Sequence, residues 1–199
     1  MSDVLTTAAT TLALTLNEAK AQLNVTSTAD DTLITNHIKA ATKMLEDRCG
    51  RCFVTQTRTL KLHSFEDTRY ACDGYIRPPR SPLKSVSSIS YVAYDGTTTT
   101  MPSSDYSVST GDQPGVVTPA YGAVFPSVRP QLNPVTITYV AGHSTVSSGV
   151  PFNVKQAVGM VVAHFYRNRE AVLTGTISKD IEYGVDALLY SEDMAGGYA

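Results

Sequence analysis

The sequence predicts an α+β protein in which helices at both ends of the chain flank an antiparallel β-rich stretch. Three observations carry this. Apolar residues recur at helical spacing within residues 15–50 and again within 151–170. Between Phe53 and Gly142 the period falls to two, in a stretch rich in Thr and Tyr, residues that favour half-buried pleated surfaces. Inside that stretch, Asp95-Gly96 stands between two strand-like runs, the strongest short hairpin signal in the chain.

Residues 1–14, MSDVLTTAATTLAL, show no clear period and read as a loosely held arm. Thr15-Leu-Asn-Glu18 is a capping box: the Thr hydroxyl accepts from the amide three residues on, and the Glu carboxylate reaches back to the free amide at the cap. A short helix to Leu23 follows. Ser27-Thr-Ala-Asp-Asp31 places carboxylates at the positive end of a second helix. Its apolar stripe runs through Ile34, Ile38, Ala41 and Leu45, and Gly50 is suited to end it in the left-handed conformation. The charged side of this helix carries Lys39, Lys43, Glu46 and Asp47.

Strands are expected at Thr55–Leu62, Val86–Tyr94, Thr97–Met101, Tyr106–Val108, Val116–Val117 and Val135–Val140, an antiparallel module of about five to seven strands. In the last of these, Val135, Ile137 and Tyr139 share one face and Thr136 and Thr138 the other. Arg77-Pro-Pro-Arg-Ser-Pro82 is held extended by its prolines. Pro151 opens the final long helix, where a missing amide costs nothing. Its stripe is Val154, Val158, Val161 and Phe165, widened by Ala157, Val162 and Tyr166. Gly159 in the helix interior costs about 1 kcal/mol relative to Ala, so another element's backbone is expected close by. Residues 171–182 read as a loop and Asp186–Tyr190 as a last helical turn.

Composition narrows the function. A net charge of −2, from 16 basic and 18 acidic residues, provides no basic field for holding a phosphate backbone. Three cysteines, and no N-terminal segment with the basic and apolar pattern of a signal peptide, point to a reducing cytoplasm. No apolar run approaches the roughly 20 residues needed to span a bilayer, so no membrane partner is expected. Charged residues are only 17% of the chain and Trp is absent beside 11 Tyr, a composition suited to contact with other protein.

Cys49-Gly-Arg-Cys52 is the one motif that points toward catalysis, because paired thiols can attack and then resolve a mixed disulfide. It falls at a helix C-terminus, where the dipole raises a thiol pKa, whereas redox sites of this kind use the N-terminus. The alternatives are a thiol oxidoreductase using Cys49 and Cys52, or two structural thiols at a helix–strand corner. Zinc would need further ligands, and only Cys72 and His63 lie near in sequence. His37, His63, His143 and His164 show neither metal-pair spacing nor a link to a nucleophile. Asp30, Asp31, Glu66 and Asp67 fit caps and loops. No catalytic residue, cofactor or metal site is therefore assigned. Arg167, Arg169 and Glu170 end the long helix and read either as a solvated helix end or as a salt-bridge belt between subunits.

The order of these signals carries a resemblance. Thr15-Leu-Asn-Glu-Ala-Lys-Ala-Gln-Leu23, the Asp30-Asp-x-Leu-Ile34 helix ending Glu46-x-x-x-Gly-Arg51, and Val54-Thr-Gln56 come first. Pro79-Arg-Ser-Pro-Leu-Lys-Ser-Val86, Val135-Thr-Ile-Thr-Tyr-Val-Ala-Gly142, Val150-Pro151 and His164-Phe-Tyr-Arg-Asn-Arg-Glu170 follow. Together, over residues 15 to about 190, they resemble the head-tail connector (head-completion adaptor) proteins of tailed bacteriophages and prophages. The arm before Thr15 is longer than is usual there, and Phe125 and Phe165 stand where many relatives have Trp.

The resemblance implies a helical connector core, made of the two N-terminal helices (15–52) and the C-terminal helix with its loop (143–185). A β-rich insertion (53–142) lies between them, with a flexible arm at 1–14 and a tail at 186–199. It implies no enzymatic activity, and a structural virion protein made in the host cytoplasm and placed in the virion neck. Such proteins form a homo-oligomeric ring, commonly twelvefold, under the portal, complete the DNA-filled head and dock neck or tail proteins. DNA passes through the lumen without sequence readout. A tail-side completion protein of similar architecture is the alternative. A ring contact needs two different faces; these are expected at Lys39, Lys43, Glu46 and Asp47, and at Arg167, Arg169 and Glu170. Asp186, Leu188, Leu189 and Tyr190 belong to the tail expected to order on portal binding.

Overall fold

The computed structural model describes residues 2–66, 70–72, 74–168 and 184–192. The chain divides into a sheet unit, Met1–Ala9 with Thr55–Gly142, and a helical unit, Thr10–Val54 with His143–Ala199. The architecture is α+β with antiparallel sheets, as expected from the change of period.

In chain order the elements of the sheet unit are β1 (Ser2–Thr7), β2 (Gln56–Leu62), β3 (Ala71–Cys72), β4 (Tyr75–Ile76), β5 (Leu83–Val92), β6 (Thr98–Thr100), β7 (Tyr106–Ser109), β8 (Val116–Pro119) and β9 (Val135–Ala141). They form a five-stranded sheet, β1-β2-β9-β5-β6, and a four-stranded sheet, β3-β4-β8-β7. The expected single module is thus two sheets. The dipeptide strands β3 and β4 are too short to show a period, which is why they were not legible.

β2 and β9 are the spine of the larger sheet, paired from Gln56↔Ala141 to Leu62↔Val135. Their alternation buries Leu60, Leu62, Val135, Ile137 and Tyr139 and leaves Thr57, Thr59, Thr136 and Thr138 half-exposed. The β5–β6 hairpin turns at Asp95-Gly96, where the Thr97 amide and hydroxyl both donate to the Asp95 carboxylate, at 2.9 and 2.7 Å.

The loose arm expected over residues 1–14 is corrected by β1, which pairs antiparallel with β2 from Ser2↔Lys61 to Thr7↔Thr57. Asp3 provides the anchor. Its carboxylate accepts from Arg58 Nε at 2.7 Å and from the Tyr139 hydroxyl at 2.8 Å, a pairing that no local sequence pattern announces.

The helical unit contains α1 (Leu16–Leu23), α2 (Asp31–Cys49) and α3 (Phe152–Arg167). The capping box forms: the Thr15 amide donates to Glu18 at 2.8 Å, and the Glu18 amide donates to the Thr15 hydroxyl at 3.2 Å. Helix α2 buries the expected Ile34, Ile38, Ala41 and Leu45, and Gly50 ends it at φ 66°. Helix α3 buries Val154, Ala157, Val158, Val161 and Val162, while Phe165 is half-buried with its ring 5.8 Å from that of His37.

A Cβ on Gly159 would fall 1.9 Å from Gln22 Oε1, and its three nearest atoms would all belong to the Gln22 amide. The close approach is made by a side chain of α1, not by the backbone expected there.

Candidate interaction surfaces

The outer face of α2 follows from its period. With the apolar stripe turned inward, Lys39, Lys43 and Asp47 are exposed, Lys43 pairs with Asp47 one turn on, and Met44 beside them is 46% exposed. Glu46, expected on this face, is corrected: it is buried, and its carboxylate accepts the Phe53 amide at 2.6 Å. The chain reverses through Gly50 after the helix ends, and the buried amide it carries back needs an acceptor. Glu46 is therefore part of the helix-end architecture.

Residues 184–189 are helical and lead into the short turn Tyr190–Glu192. The expectation that the segment from Asp186 on waits for a partner to order it is corrected for the described part. Val185 and Leu189 are buried, and the Asn153 side-chain amide donates to the Leu188 carbonyl at 3.1 Å. Asp186 pairs with Arg48 at 2.5 Å, both half in solvent. Glu192 Oε2 lies 3.1 Å from Arg51 Nη1 and 3.3 Å from His143 Nε2, with the Arg51 and Glu192 side chains only 6% and 11% exposed. Desolvation weighs against each of these charges, so each depends on the other to stay buried. Leu188 is half-buried and Tyr190 is 85% exposed. Arg48, Cys49, Asp186, Leu189 and Tyr190 line a shallow pocket of about 220 Å³.

The structure thus brings Asp186, Leu189 and Tyr190 together with the C-terminal end of α2. Arg167 is exposed at the end of α3, whereas Arg169 and Glu170 lie outside the described residues. Arg48, Arg51, His143 and Glu192 were missed by sequence reading. The last three come from a turn, a loop and a tail separated by many residues, and no spacing rule joins them.

The helical unit is further tied by Lys155, whose ammonium donates to Glu18 at 2.9 Å. That hydrogen bond, followed by the one from Thr15, holds the Glu18 carboxyl at a pKa of about 2, below its ordinary 4.5. Lys20 pairs with Asp31 at 2.6 Å, and the Tyr166 hydroxyl donates to Asp30 at 2.6 Å. These carboxylates hold helices together and are not placed as an acid–base pair.

Cys49 and Cys52 are reduced and buried, at 1% and 0% exposure. A redox thiol needs access to its substrate, and neither of these side chains is exposed. Among the described residues no group of His, Cys, Asp and Glu is placed to hold a metal ion, and no described helix is long and apolar enough to cross a membrane.

In the sheet unit, the segment between β8 and β9 exposes Tyr121, Val124 and Leu132, and the β5–β6 turn exposes Tyr94. Phe125 from this segment stacks on Phe65 with ring centroids 4.6 Å apart and planes at 3°. The stack forms part of an open cleft of about 440 Å³ also lined by Glu66, Tyr94, Pro119 and Pro126. Large exposed aromatic and aliphatic side chains with few charges suit contact with other protein.

A family model described as head completion protein matches residues 13–179. Three solved structures share the fold. The chain is similar to one in the neck of an empty gene transfer agent particle computed with C6 symmetry, with a TM-score of 0.78 and 22% identity over 97% of this chain and 95% of that one. It is similar to one in the virion of the native gene transfer agent particle, at a TM-score of 0.77 and 23% identity over the same shares of 97% and 95%. The neck of the native particle computed with C12 symmetry gives 0.76 and 21%, again over 97% and 95%. No curated protein matches the chain.

Proposed function

The chain belongs to the head completion protein family, and from that premise we propose that it is a structural adaptor of a phage-like neck, with no enzymatic role. In this reading it forms a homo-oligomeric ring beneath the portal, completes the DNA-filled head, and offers its far side to neck or tail proteins. The observation that carries it is the family match across residues 13–179, joined to a fold shared over almost the whole chain with neck proteins of gene transfer agent particles. Those necks were computed with sixfold and with twelvefold symmetry, which supports a ring of identical subunits. α1, α2 and α3 then serve as the connector core, and DNA passes through the lumen past a chain whose charges nearly balance.

One ring face is assigned to Lys39, Lys43, Met44 and Asp47 on α2, and the other to Arg167, Arg169 and Glu170. The portal contact is assigned to the C-terminal segment, whose described part is already packed and presents Tyr190 and the Arg48–Asp186 pair at its surface.

The test is the mass of the protein in solution with negative-stain images, alone and mixed with the cognate portal protein. A ring that co-purifies with portal is expected, and deletion of 186–199 should abolish that docking. Co-purification with tail-tube protein in place of portal would move the protein to the tail side. A monomer that binds neither would overturn the reading.

A further inference from the structure

The five-stranded sheet ends in two dissimilar edges, β1 and β6, and among the described residues no strand covers the outer side of either. Exposed edges are templates for pairing, and proteins that keep them apart use charge, proline or a covering segment. Among the described residues, neither edge carries an outward-facing charge, a proline or a covering segment. β6 is three threonines, all exposed. In β1 the sole charged residue, Asp3, is 10% exposed and turned into its pair with Arg58, while Val4 and Leu5 are 51% and 42% exposed. The register shift between Leu5 and Thr7 leaves Ser2–Leu5 as the regular part of that edge.

The direction of the free hydrogen-bonding groups on β6 follows from its pairing. The Ala93 amide donates to the Thr97 carbonyl at 2.9 Å and the Met101 amide to the Ile89 carbonyl at 2.8 Å, with Thr99 opposite Tyr91 between them. In an antiparallel ladder such pairs alternate. Thr97, Thr99 and Met101 therefore face β5, and Thr98 and Thr100 turn their N–H and C=O groups outward.

Every neighbouring pair in the sheet is antiparallel, so β1 and β6, at the ends of five strands, run in the same direction. A closed ring needs two different faces that fit each other on successive subunits, with strand direction kept from copy to copy. We propose that β6 of one copy pairs in parallel with β1 of the next, so that the sheet continues from subunit to subunit. This rests on the ring reading above and assigns part of its subunit contact to residues 2–5 and 98–100. With only Thr98 and Thr100 facing out, the joint adds few hydrogen bonds, so it sets the register of neighbours and adds to contacts made elsewhere.

The test measures assembly of the full-length chain by sedimentation over a range of concentrations. Thr98→Lys with Thr100→Lys puts two charges on the outer edge and leaves the inward ladder intact. It should weaken association roughly tenfold, the loss of about one or two net hydrogen bonds. Tyr121→Lys, at an exposed residue elsewhere in the unit, and Thr98→Val with Thr100→Val, which adds no charge, should assemble like the wild type. Val4→Cys combined with Thr100→Cys, which the registers Val4↔Thr59↔Thr138 and Thr100↔Ser90↔Thr136 put on the same face of the sheet, should give, under mild oxidation, a ladder of covalent oligomers beyond the dimer. Wild-type rings alongside a lysine variant that assembles equally well, with no ladder from the cysteine pair, would overturn the joint and leave the ring standing. Covalent dimers from Val4→Cys alone would overturn it in favour of β1 pairing with β1. A wild type that stays monomeric at every concentration and with portal would overturn ring and joint together.

Discussion

The sheet unit and the helical unit hold their elements in place by different means. In the larger sheet the backbone itself links the strands, and each residue of β2 from Gln56 to Leu62 has a defined partner on β9. Orientation and register come with the ladder. In the helical unit the backbone hydrogen bonds are spent inside each helix, so the relative placement of α1, α2 and α3 depends on side chains. Apolar stripes decide which faces meet, and polar pairs far apart in sequence fix the ends: Lys155 with Glu18 at 2.9 Å, Lys20 with Asp31 at 2.6 Å, Tyr166 with Asp30 at 2.6 Å and Arg51 with Glu192 at 3.1 Å. A sheet is therefore most sensitive to loss of its buried face, and a helical bundle of this kind to loss of its terminal pairs.

The largest expected effect tests the first half of that contrast. Ile137 is fully buried on β9, opposite Leu60 on β2 and Ile89 on β5, so it sits at the middle of an apolar row across three strands. Ile137→Ala should cost about 2–5 kcal/mol in a denaturant titration. A loss under about 1 kcal/mol would mean that the ladder alone holds the sheet.

Asp3 tests an exception, a polar anchor inside the sheet unit. With side chains 10% and 11% exposed, Asp3 and Arg58 form the kind of pair whose half-removal strands a buried charge. Asp3→Ala should cost about 3 kcal/mol, and adding Arg58→Met should recover most of it. An Asp3→Ala variant as stable as the wild type would show that β1 is held by the ladder and not by the ion pair.

The same contrast explains what was legible in the sequence. Local rules were enough for the capping box at Thr15 and Glu18, the Gly50 helix end, the stripe Ile34, Ile38, Ala41 and Leu45, the Asp95-Gly96 hairpin and the alternation from Val135 to Val140, because each is decided within a few residues. The order of such signals was also enough to indicate the family. Sequence reading failed where a partner lies far along the chain. SDVLTT is a strand because Arg58 and Tyr139 receive Asp3, and Glu46 is buried because the chain returns at Phe53. The C-terminal turn is packed because Arg51 and His143 receive Glu192. A charge on a helix looks the same in sequence whether it faces water or a returning loop.

A smaller effect sharpens the second half of the contrast through pH. Glu18 is held at a pKa of about 2 by Lys155 and Thr15, below its ordinary 4.5, so the folded state favours the carboxylate. Its contribution is fully present above about pH 4.5 and is lost as the pH falls toward about 2. Because the Glu18 side chain is 43% exposed, solvent screening reduces that contribution to about 1 kcal/mol. Glu18→Gln should therefore be less stable than the wild type by about 1 kcal/mol at pH 7, and the gap should close in acid. A gap that stays constant from pH 7 to pH 2 would assign the effect to packing and not to charge.

The smallest net effect comes from a position where two terms oppose. Replacing Gly159 by Ala in the interior of α3 removes the glycine penalty, a gain of about 1 kcal/mol. The new methyl would displace the Gln22 amide, whose three atoms are the nearest to it, the closest at 1.9 Å. Gln22 is exposed, and its amide is the far end of a flexible side chain, so it can swing toward water at little cost. Gly159→Ala should then change stability by less than about 1 kcal/mol, and the double variant Gln22→Ala with Gly159→Ala should be the more stable. Had a backbone stood at that point, as the sequence led one to expect, the same methyl would have forced two helices apart. A thermal melt of the single and double variants therefore separates a helix interface closed by side chains from one closed by backbone. A large destabilisation that persists when Gln22 is removed would show that α3 is seated more rigidly than a side-chain contact allows.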